Sequence, residues 1–399
     1  MSDWRKAVRT PISYTVTNNT LRLQTQFVTV VSVAGIVVLF VLYSLVPKSR
    51  VTLNDTIQHH NLDEDHGHEH NHHPNDCRPK IAYNKTYPLT RPEYLSDEKI
   101  RFRIAVITDL DTESKADGQR DSWVSYILRG HLIYYTNEET IQVKWDKKSV
   151  PLRSSLSQEG RAMELSELIV FNGKLYSCDD RTGILYHIRD DSAIPWVILT
   201  DGDGNTPKSF KCEWIAVKDH NLYVGGLGKE WTSTSGELLN YNPQWIKTIS
   251  TSGEVEHHNW RDNYLALRSS CGIQYPGYVI HESAVWSPVH RKWYFLPRRV
   301  STTQYNEKED ERKGSNILLT SNQDFTDVQM KTVGPLLPTH GFSSFKFIPN
   351  TSDRIIVALK SEEDNGRVAS YITAFTIDGK VLLSEQLIGN YKYEGIEFI

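Results

Sequence analysis

A six-residue pattern of polar and apolar positions recurs five times along the chain. In each copy an acidic or hydroxyl residue is followed, two and four positions later, by apolar residues, and this alternation is typical of a β-strand. The copies begin about 45 to 70 residues apart, which suits the blades of a β-propeller. They are residues 166–171, 212–217, 281–286, 342–347 and 393–398. The pattern therefore predicts the innermost strands of a five-bladed β-propeller.

The rest of the segment 97–399 consists of short alternating runs separated by Gly, Asp and Asn. No stretch keeps a helical period over three turns, so we predict an all-β domain. The last copy, 393–398, is followed by no sequence that could supply the outer strands of its blade. We expect residues 101–108 to supply them, so that both ends of the domain meet in one blade.

The polar residues of the repeat lie on the same strand face as apolar residues, which indicates that their oxygens sit at strand ends around a central channel. Carboxylates gathered on one axis repel each other unless a cation neutralises them. Oxygen-only ligands in a wide ring favour Ca²⁺ over Mg²⁺ or a softer metal. The alternative is that each side chain is a solvated strand end. The residues concerned are Glu167, Glu213, Glu282, Ser343 and Glu394.

The N-terminal part of the chain has a different composition. Residues 27–46 are uncharged and apolar, and their length suits a bilayer-spanning helix. Basic residues before this segment favour a cytosolic tail over 1–26, and the lack of a cleavage motif favours an uncleaved signal anchor. Residues 47–96 are polar and rich in His, which predicts a disordered stem. We thus expect a single-pass membrane protein with a lumenal domain over 97–399, secreted if the stem is cleaved.

Charge and cysteine content exclude some classes of protein. The formal net charge of −4 argues against a nucleic-acid-binding protein. Four cysteines are too few for a disulfide scaffold in a domain of this size, and their spacing leaves the connectivity open. We expect Cys178 and Cys212 to be buried small residues within strands. Cys77, in the stem, could link two chains into a homodimer.

Two segments resemble known ligand-binding motifs but lack residues that those motifs require. Residues 201–205 begin like an EF-hand loop but lack the later Gly and Glu, and residues 225–229 lack the first Gly of a P-loop. The remaining candidates are polar or aromatic residues in loops around the predicted strands, where sites on such scaffolds are usually built. These candidates are Asp109, Asp111, Arg161, Asp180, Trp231 and Arg298.

Several segments closely resemble the calcium-activated nucleotidases, a family related to a salivary apyrase of blood-feeding insects. They include residues 104–114, 199–204, 338–344 and 392–399, together with Val224-Gly-Gly-Leu-Gly-Lys-Glu-Trp231. The resemblance implies a propeller with Ca²⁺ in its central tunnel and hydrolysis of nucleoside di- and triphosphates, with UDP, GDP and UTP preferred. It also implies residence in the endoplasmic reticulum and Golgi apparatus, where removal of UDP supports glycosylation and proteoglycan synthesis. The Ca²⁺ ligands that it implies are Ser166, Glu167, Glu213, Glu282, Ser343 and Glu394.

Roles for the loop residues follow from the chemistry of phosphoryl transfer. We expect Asp109 and Asp111 to position or deprotonate the attacking water and Arg298 to bind phosphate. Arg161, Asp180 and Trp231 are expected to bind other parts of the substrate. Two alternatives are a non-catalytic, Ca²⁺-dependent lumenal binding propeller and a glycosidase with two carboxylates flanking a sugar.

The predicted topology has a direct test. Asn84 and Asn350 lie in Asn-x-Thr/Ser sequons after the predicted anchor and should carry N-linked glycans, whereas the sequon at Asn18 should not. Endoglycosidase treatment of the full-length protein, compared with Asn84→Gln and Asn350→Gln variants, should show one mobility step for each site. An unglycosylated full-length protein in the cytosol would contradict this topology.

Overall fold

The computed structural model describes residues 12–16, 19–23 and 82–399. The chain divides into two compact units, residues 1–78 and 79–399. In the first unit, strands β1 (Ile12–Val16) and β2 (Asn19–Leu23) form an antiparallel pair. The predicted anchor (27–46) and the predicted stem up to residue 81 lie outside the described residues. Among the residues that are described, no helix combines the length and apolar character needed to cross a membrane.

The second unit is built from antiparallel strands, as the alternating pattern predicts. Two short helices interrupt them, α1 (Arg261–Ser270) and α2 (Glu307–Asp310), together with 3₁₀ turns at Asp111–Ser114 and Asn242–Gln244. The strands are β3 (Glu93–Ser96), β4 (Lys99–Thr108), β5 (Trp123–Tyr135), β6 (Thr140–Trp145), β7 (Val150–Ser154), β8 (Leu165–Phe171), β9 (Lys174–Asp179), β10 (Ile184–Arg189), β11 (Ser192–Ile198), β12 (Trp214–Lys218), β13 (Asn221–Gly225), β14 (Trp231–Thr232), β15 (Leu238–Asn240), β16 (Trp245–Ile249), β17 (Val255–Asn259), β18 (Tyr278–Ser287), β19 (Lys292–Ser301), β20 (Ile317–Ser321), β21 (Val328–Thr332), β22 (His340–Phe347), β23 (Ile355–Asp364), β24 (Arg367–Thr376), β25 (Val381–Gly389) and β26 (Tyr393–Phe398).

Within residues 82–399 these strands form five blades. Blade 1 is β8–β11, blade 2 is β12, β13, β16 and β17, blade 3 is β18–β21, and blade 4 is β22–β25. Blade 5 has the order β26-β4-β5-β6, with β3 and β7 added along β4 and β5. The inner strands β8, β12, β18, β22 and β26 contact one another in cyclic order around the axis. They coincide with the five repeated segments, so the predicted five-bladed propeller is confirmed.

Blade 5 closes the ring by joining both ends of the domain. Strand β26 pairs with β4 so that Phe398 lies opposite Ile104 and Ile396 opposite Val106. The amide N–H of Ile399 also donates to the carbonyl of Arg103 at 3.0 Å. This pairing confirms the expected closure. It leaves β4 no free edge beside the axis.

Hydrophobic side chains fill the wedges between neighbouring blades, with one cluster for each adjacent pair in the described domain. Both faces of a blade therefore pack against a neighbour. Between blades 2 and 3, Trp214 and Trp293 are fully buried with their ring centroids 6.3 Å apart. Because each wedge needs strands from two blades, blades are stable only as part of the ring.

Residues 82–96, which the composition assigned to the stem, contact the propeller. Strand β3 pairs with β4. The ring of Tyr83 stacks on His220 with centroids 4.3 Å apart, and the Tyr87 hydroxyl donates to Glu397 Oε1 at 3.1 Å. These contacts place the end of the N-terminal segment where the inner strands finish.

The expectation for two cysteines was wrong in one respect. Cys178 and Cys212 are fully buried, but they are joined by a disulfide bond across a Cα–Cα distance of 6.3 Å. The bond links β9 of blade 1 to the residues just before β12 of blade 2. The two cysteines are 34 residues apart in sequence and become neighbours only because consecutive blades stack. Cys271, at the end of α1, is free.

Deleting residues 393–399 should prevent folding, although a chain terminus is usually dispensable. Tyr393, Ile396 and Phe398 are nearly or completely buried, and the loss of each large side chain costs about 2–5 kcal/mol, against a total stability of about 5–15 kcal/mol. Gel filtration and a circular dichroism melt would show an aggregated or unfolded protein. Glu394→Gln, which keeps the strand, is the control and should remain soluble. A truncated protein that is soluble and melts cooperatively would rule out this closure.

Candidate active site

The inner strands share an irregularity at the end where the repeated oxygens lie. In β8, β22 and β26 the pairing with the next strand shifts by one residue, which leaves Ser166, Ser343 and Glu394 without a partner. A shift in β18 spans Glu282 and the next residue. Glu213 comes directly before β12, and its N–H donates to the carbonyl of Gly225 at 2.8 Å. Such bulges re-aim side chains and are common beside active sites.

A cavity of about 450 Å³ lies at this end of the inner strands. Its lining contains ten carboxylates and only five cationic side chains, with Trp231 and Tyr305 among the remaining residues. The carboxylates are Asp109, Asp111, Asp180, Glu213, Glu282, Glu307, Asp310, Glu311, Glu363 and Glu394, and the cationic residues are Lys211, Lys229, Arg298, Arg299 and Lys392. The cavity is therefore acidic overall.

The residues predicted to bind metal fall into two layers. Glu213, Glu282 and Glu394 line the cavity. Ser166 and Ser343 lie buried at their bulges. The bulges place Ser166, and not its neighbour in the sequence, in the position equivalent to Ser343 and Glu394.

Glu167 lies one residue further along β8 and is not part of the cavity lining. Its Oε1 accepts hydrogen bonds from Ser344 Oγ at 2.7 Å and from the N–H of Leu168 at 2.9 Å, and lies 3.1 Å from Lys346 Nζ. The sequence repeat aligned Glu167 with the other glutamates because a period of two cannot reveal a bulge. Its role as a metal ligand stays a prediction.

Arg298 was expected in a loop, but it lies within a strand. It is an inserted residue within β19, between Pro297 and Arg299 in the pairing with β18, and it is 4% exposed. Its guanidinium forms ion pairs with three carboxylates, including Glu394 Oε1 at 2.9 Å. The other two partners are Glu282 and Glu363. Arg298 is thus the internal counter-ion of the carboxylate cluster.

Two lysines that the sequence analysis did not select complete this cluster. Lys392 Nζ lies 2.7 Å from Asp109 Oδ2 and 2.6 Å from Asp111 Oδ2. Lys211 Nζ pairs with Asp180 and lies 2.8 Å from Glu213 Oε1. Each lysine stands two positions before an inner-strand glutamate, so the pattern Lys-x-Glu in the second and fifth repeats could have revealed them.

The electrostatics of the cluster suit a bound cation. Burial raises the pKa of Glu213 to about 8; Lys211 opposes this, while the Glu282 and Asp180 carboxylates add to it. Burial also raises the pKa of Glu394 well above its ordinary value. The buried Ser166 Oγ and Glu167 Oε2 make no hydrogen bond. Carboxylate and hydroxyl oxygens in such surroundings are the donors that a hard divalent ion prefers.

The pKa values of Asp109 and Asp111 are shifted in opposite directions. Burial opposes ionisation of Asp109, but the ammonium of Lys392 lowers the pKa of this carboxyl below its ordinary value. Burial and the nearby Asp109 charge raise the pKa of the half-exposed Asp111. The backbone of Asp111 has a φ of +47°, and its N–H donates to Asp109 Oδ1 at 2.8 Å. Carboxylate oxygens of Asp109, Asp111 and Glu164 lie within 4.8 Å of one another.

Comparison with known proteins identifies the family. The sequence profile described as Apyrase matches residues 110–399. The chain belongs to the apyrase family. It is 60% identical over 317 residues to the soluble calcium-activated nucleotidase 1 of Rattus norvegicus, covering 79% of this chain and 78% of that protein. It is 51% identical over 301 residues to an apyrase of Caenorhabditis elegans (74% and 84% of the two chains) and 45% identical over 322 residues to an apyrase of Cimex lectularius (79% and 87%).

The residues predicted to bind substrate in this apyrase are only partly brought together. Asp180 and Trp231 line the cavity. One face of the Trp231 ring is covered by Lys208, whose Nζ is 4.0 Å from the ring centroid. Arg161 is not part of the lining; it pairs with Glu164 and lies 3.4 Å from Asp111 Oδ1. Arg161 thus lies beside Asp111 and Glu164 and outside the cavity lining.

Arg298→Gln should destabilise this apyrase domain as well as affect its chemistry. Removing the guanidinium leaves three carboxylates without their counter-ion, and breaking a buried ion pair costs about 3–5 kcal/mol. Urea denaturation in the presence of a chelator measures the loss. Arg189→Gln, on an exposed position of β10, is the matched control and should change stability little. An unfolding free energy equal to that of the wild type would show that Arg298 is not the internal counter-ion.

Proposed function

We propose that this chain is a calcium-dependent hydrolase of nucleoside di- and triphosphates that releases the terminal phosphate. The observation that carries the proposal is the convergence of Glu213, Glu282 and Glu394 with Arg298 and Lys392 around one cavity. Membership of the apyrase family, with a rat relative named for calcium-activated nucleotidase activity, supports the same reaction. The charge of the cavity lining is a second, independent reason to expect a bound cation.

A polyphosphate would be repelled by this cavity without a counter-ion, because carboxylates outnumber cationic side chains by two to one. Four of the five cationic residues are already paired with protein acceptors. The substrate should therefore bind together with a divalent cation. Ca²⁺ would neutralise the phosphate oxygens and stabilise the charge that develops as the anhydride breaks.

The proposed ligands of the ion are oxygens at one end of the inner strands, four of them at irregular pairings and Glu213 directly before β12. They are Ser166, Glu213, Glu282, Ser343 and Glu394, with Glu167 as a deeper member of the set. Five separate blades supply these oxygens, so no single rigid loop fixes their spacing. Such a site suits Ca²⁺, which takes six to eight oxygens in flexible geometry, better than the tight octahedron of Mg²⁺.

Asp111 is the residue best suited to accept a proton from the attacking water. Its carboxylate is half-exposed to the cavity, and its raised pKa makes it a better base than an ordinary aspartate. Asp109 stays ionised, and its carboxylate accepts a hydrogen bond from the N–H of Asp111. Asp109 and Asp111 together bind the ammonium of Lys392. These contacts fix the side chain of Asp111 relative to the proposed metal ligands.

The preference for UDP, GDP and UTP and the cellular role are further parts of this proposal. Trp231 and Tyr305 offer aromatic surfaces on which a base could stack. The uncharged segment 27–46 supports a type II anchor, and the resemblance noted in the sequence supports residence in the endoplasmic reticulum and Golgi. There, hydrolysis of UDP would remove the product that inhibits glycosyltransferases.

Phosphate release from UDP should require Ca²⁺, stop in excess chelator and recover only weakly with Mg²⁺. Glu213→Gln removes one charge from the proposed site and should raise the Ca²⁺ concentration for half-maximal activity by about tenfold or more, since ligand charge sets affinity. Glu256→Gln, at an exposed position on the outermost strand of the same blade, is the control and should behave like the wild type.

Three results separate the possible outcomes. Full activity in chelator would exclude a calcium-dependent reaction. Calcium binding without phosphate release from any nucleotide would instead favour a non-catalytic binding propeller. Unchanged calcium dependence in Glu213→Gln would remove this residue from the metal site.

A further inference from the structure

Arg298 and Arg299 are neighbours on β19 and both line the cavity, but their surroundings differ. Arg298 is fully engaged by the carboxylates of Glu282, Glu363 and Glu394. A phosphate could reach its guanidinium only by displacing one of these partners. Arg298 is therefore poorly placed to bind substrate, although the sequence analysis chose it for that role.

Arg299 has no comparable partner. Arg299 is only 2% exposed, yet its Nε and Nη1 atoms make no hydrogen bond. The nearest carboxylate is that of Asp310, with Oδ2 3.8 Å from Nε, which is too far for a hydrogen bond. Asp310 is itself engaged, because its Oδ1 accepts the hydroxyl of Tyr278 at 2.6 Å. A buried guanidinium with unpaired N–H groups is costly unless a ligand supplies acceptors.

The other cationic side chains lining this cavity, within residues 82–399, are already committed. Lys229 Nζ donates to the Glu230 carbonyl at 2.8 Å and to Thr232 Oγ1 at 2.9 Å. Lys211 and Lys392 are held by aspartate and glutamate side chains. Arg299 is thus the cationic group of the lining whose donors are left for a ligand.

A glycine on the neighbouring strand leaves space for the side chains of Arg298 and Arg299. A Cβ atom at Gly341, on the neighbouring strand β22, would lie 2.5 Å from Arg298 Cγ and 3.2 Å from Arg299 Nη1. A side chain at this position would therefore displace the arginines, and glycine keeps both in place. Arg299 also lies opposite Ile280, two residues before Glu282 on β18. Arg299 lines the same cavity as Glu282, and among the described residues no ion pair joins it to a proposed metal ligand.

We propose that Arg299 is the residue that binds a phosphate group of the nucleotide directly, and that Arg298 serves only to hold the carboxylates together. The planar guanidinium offers parallel N–H donors that match two oxygens of a phosphate, and such pairs are strong in a buried setting. This assignment rests on the proposed nucleotidase function. It divides the two arginines between substrate binding and charge compensation within the protein.

The test uses the full-length wild-type protein, Arg299→Gln, Arg299→Lys and the control Arg189→Gln, with UDP as substrate in saturating Ca²⁺. In Arg299→Gln, kcat/KM should fall by about 10- to 100-fold, the range expected for losing a hydrogen-bonded charged contact. The inhibition constant for inorganic phosphate should rise by a similar factor. Arg299→Lys keeps the charge but loses the planar donors, so it should give intermediate values.

Two further measurements distinguish phosphate binding from a structural role. The Ca²⁺ concentration for half-maximal activity and the melting temperature of Arg299→Gln should stay close to those of the wild type, because the Arg299 side chain makes no hydrogen bond to another described residue. An unchanged inhibition constant for phosphate in Arg299→Gln would overturn the proposal. If that variant does not fold, a wild-type inhibition constant in Arg299→Lys would overturn it as well.

The failure of this inference differs from the failure of the proposed function. If the wild type released no phosphate from any nucleotide, the proposed function itself would fall. If the wild type hydrolysed UDP and Arg299→Gln did so with the same kcat/KM, only the assignment of Arg299 would be wrong.

Discussion

Mutual repulsion among the carboxylates at one end of the propeller axis is the constraint on which the site depends. Glu213, Glu282 and Glu394 come from three different blades and line one cavity, with Glu213 and Glu394 buried and the Glu282 side chain 13% exposed. Three internal cations, Arg298, Lys211 and Lys392, reduce this repulsion, but burial first and the neighbouring carboxylates second keep the pKa values of Glu213 and Glu394 raised. Residual negative charge of this kind favours binding of a divalent cation.

The propeller makes such a cluster possible because its inner strands all begin around one axis. No single strand could place three carboxylates so close together, since successive side chains on a strand alternate between faces. Regular pairing would direct Ser166, Ser343 and Glu394 into a wedge between blades. The bulges at these residues turn them toward the axis instead. The closure of blade 5 is equally necessary, because it brings Lys392 and Glu394 from the end of the chain to Asp109 and Asp111 near the start of the domain.

Neighbouring residues can have different tasks when a strand carries an inserted residue. Regular pairing would send Arg298 and Arg299 to opposite faces of β19. The bulge at Arg298 allows both to reach the cavity. Arg298 satisfies the carboxylates, whereas Arg299 keeps guanidinium N–H groups without a hydrogen-bond acceptor, and this difference cannot be seen in the sequence Arg-Arg.

The sequence by itself determined the number of blades, their inner strands and the closure of the ring. These features depend on alternation along single strands and on the order of repeats, which are local properties that the chain displays directly. It also singled out Glu213, Glu282, Glu394, Asp109 and Asp111, because an unusual polar residue at the end of an apolar strand is visible without coordinates.

Only the tertiary structure decided how these residues are paired and aimed. The one-residue offset between Ser166 and Glu167, the position of Arg298 within a strand and the disulfide between Cys178 and Cys212 all depend on contacts between segments far apart in sequence. The same is true of the ion pairs that engage Arg298 and of the Arg299 donors that no described residue accepts. Alternation reports which face a residue occupies, whereas bulges and the stacking of blades determine which side chain from another blade it meets.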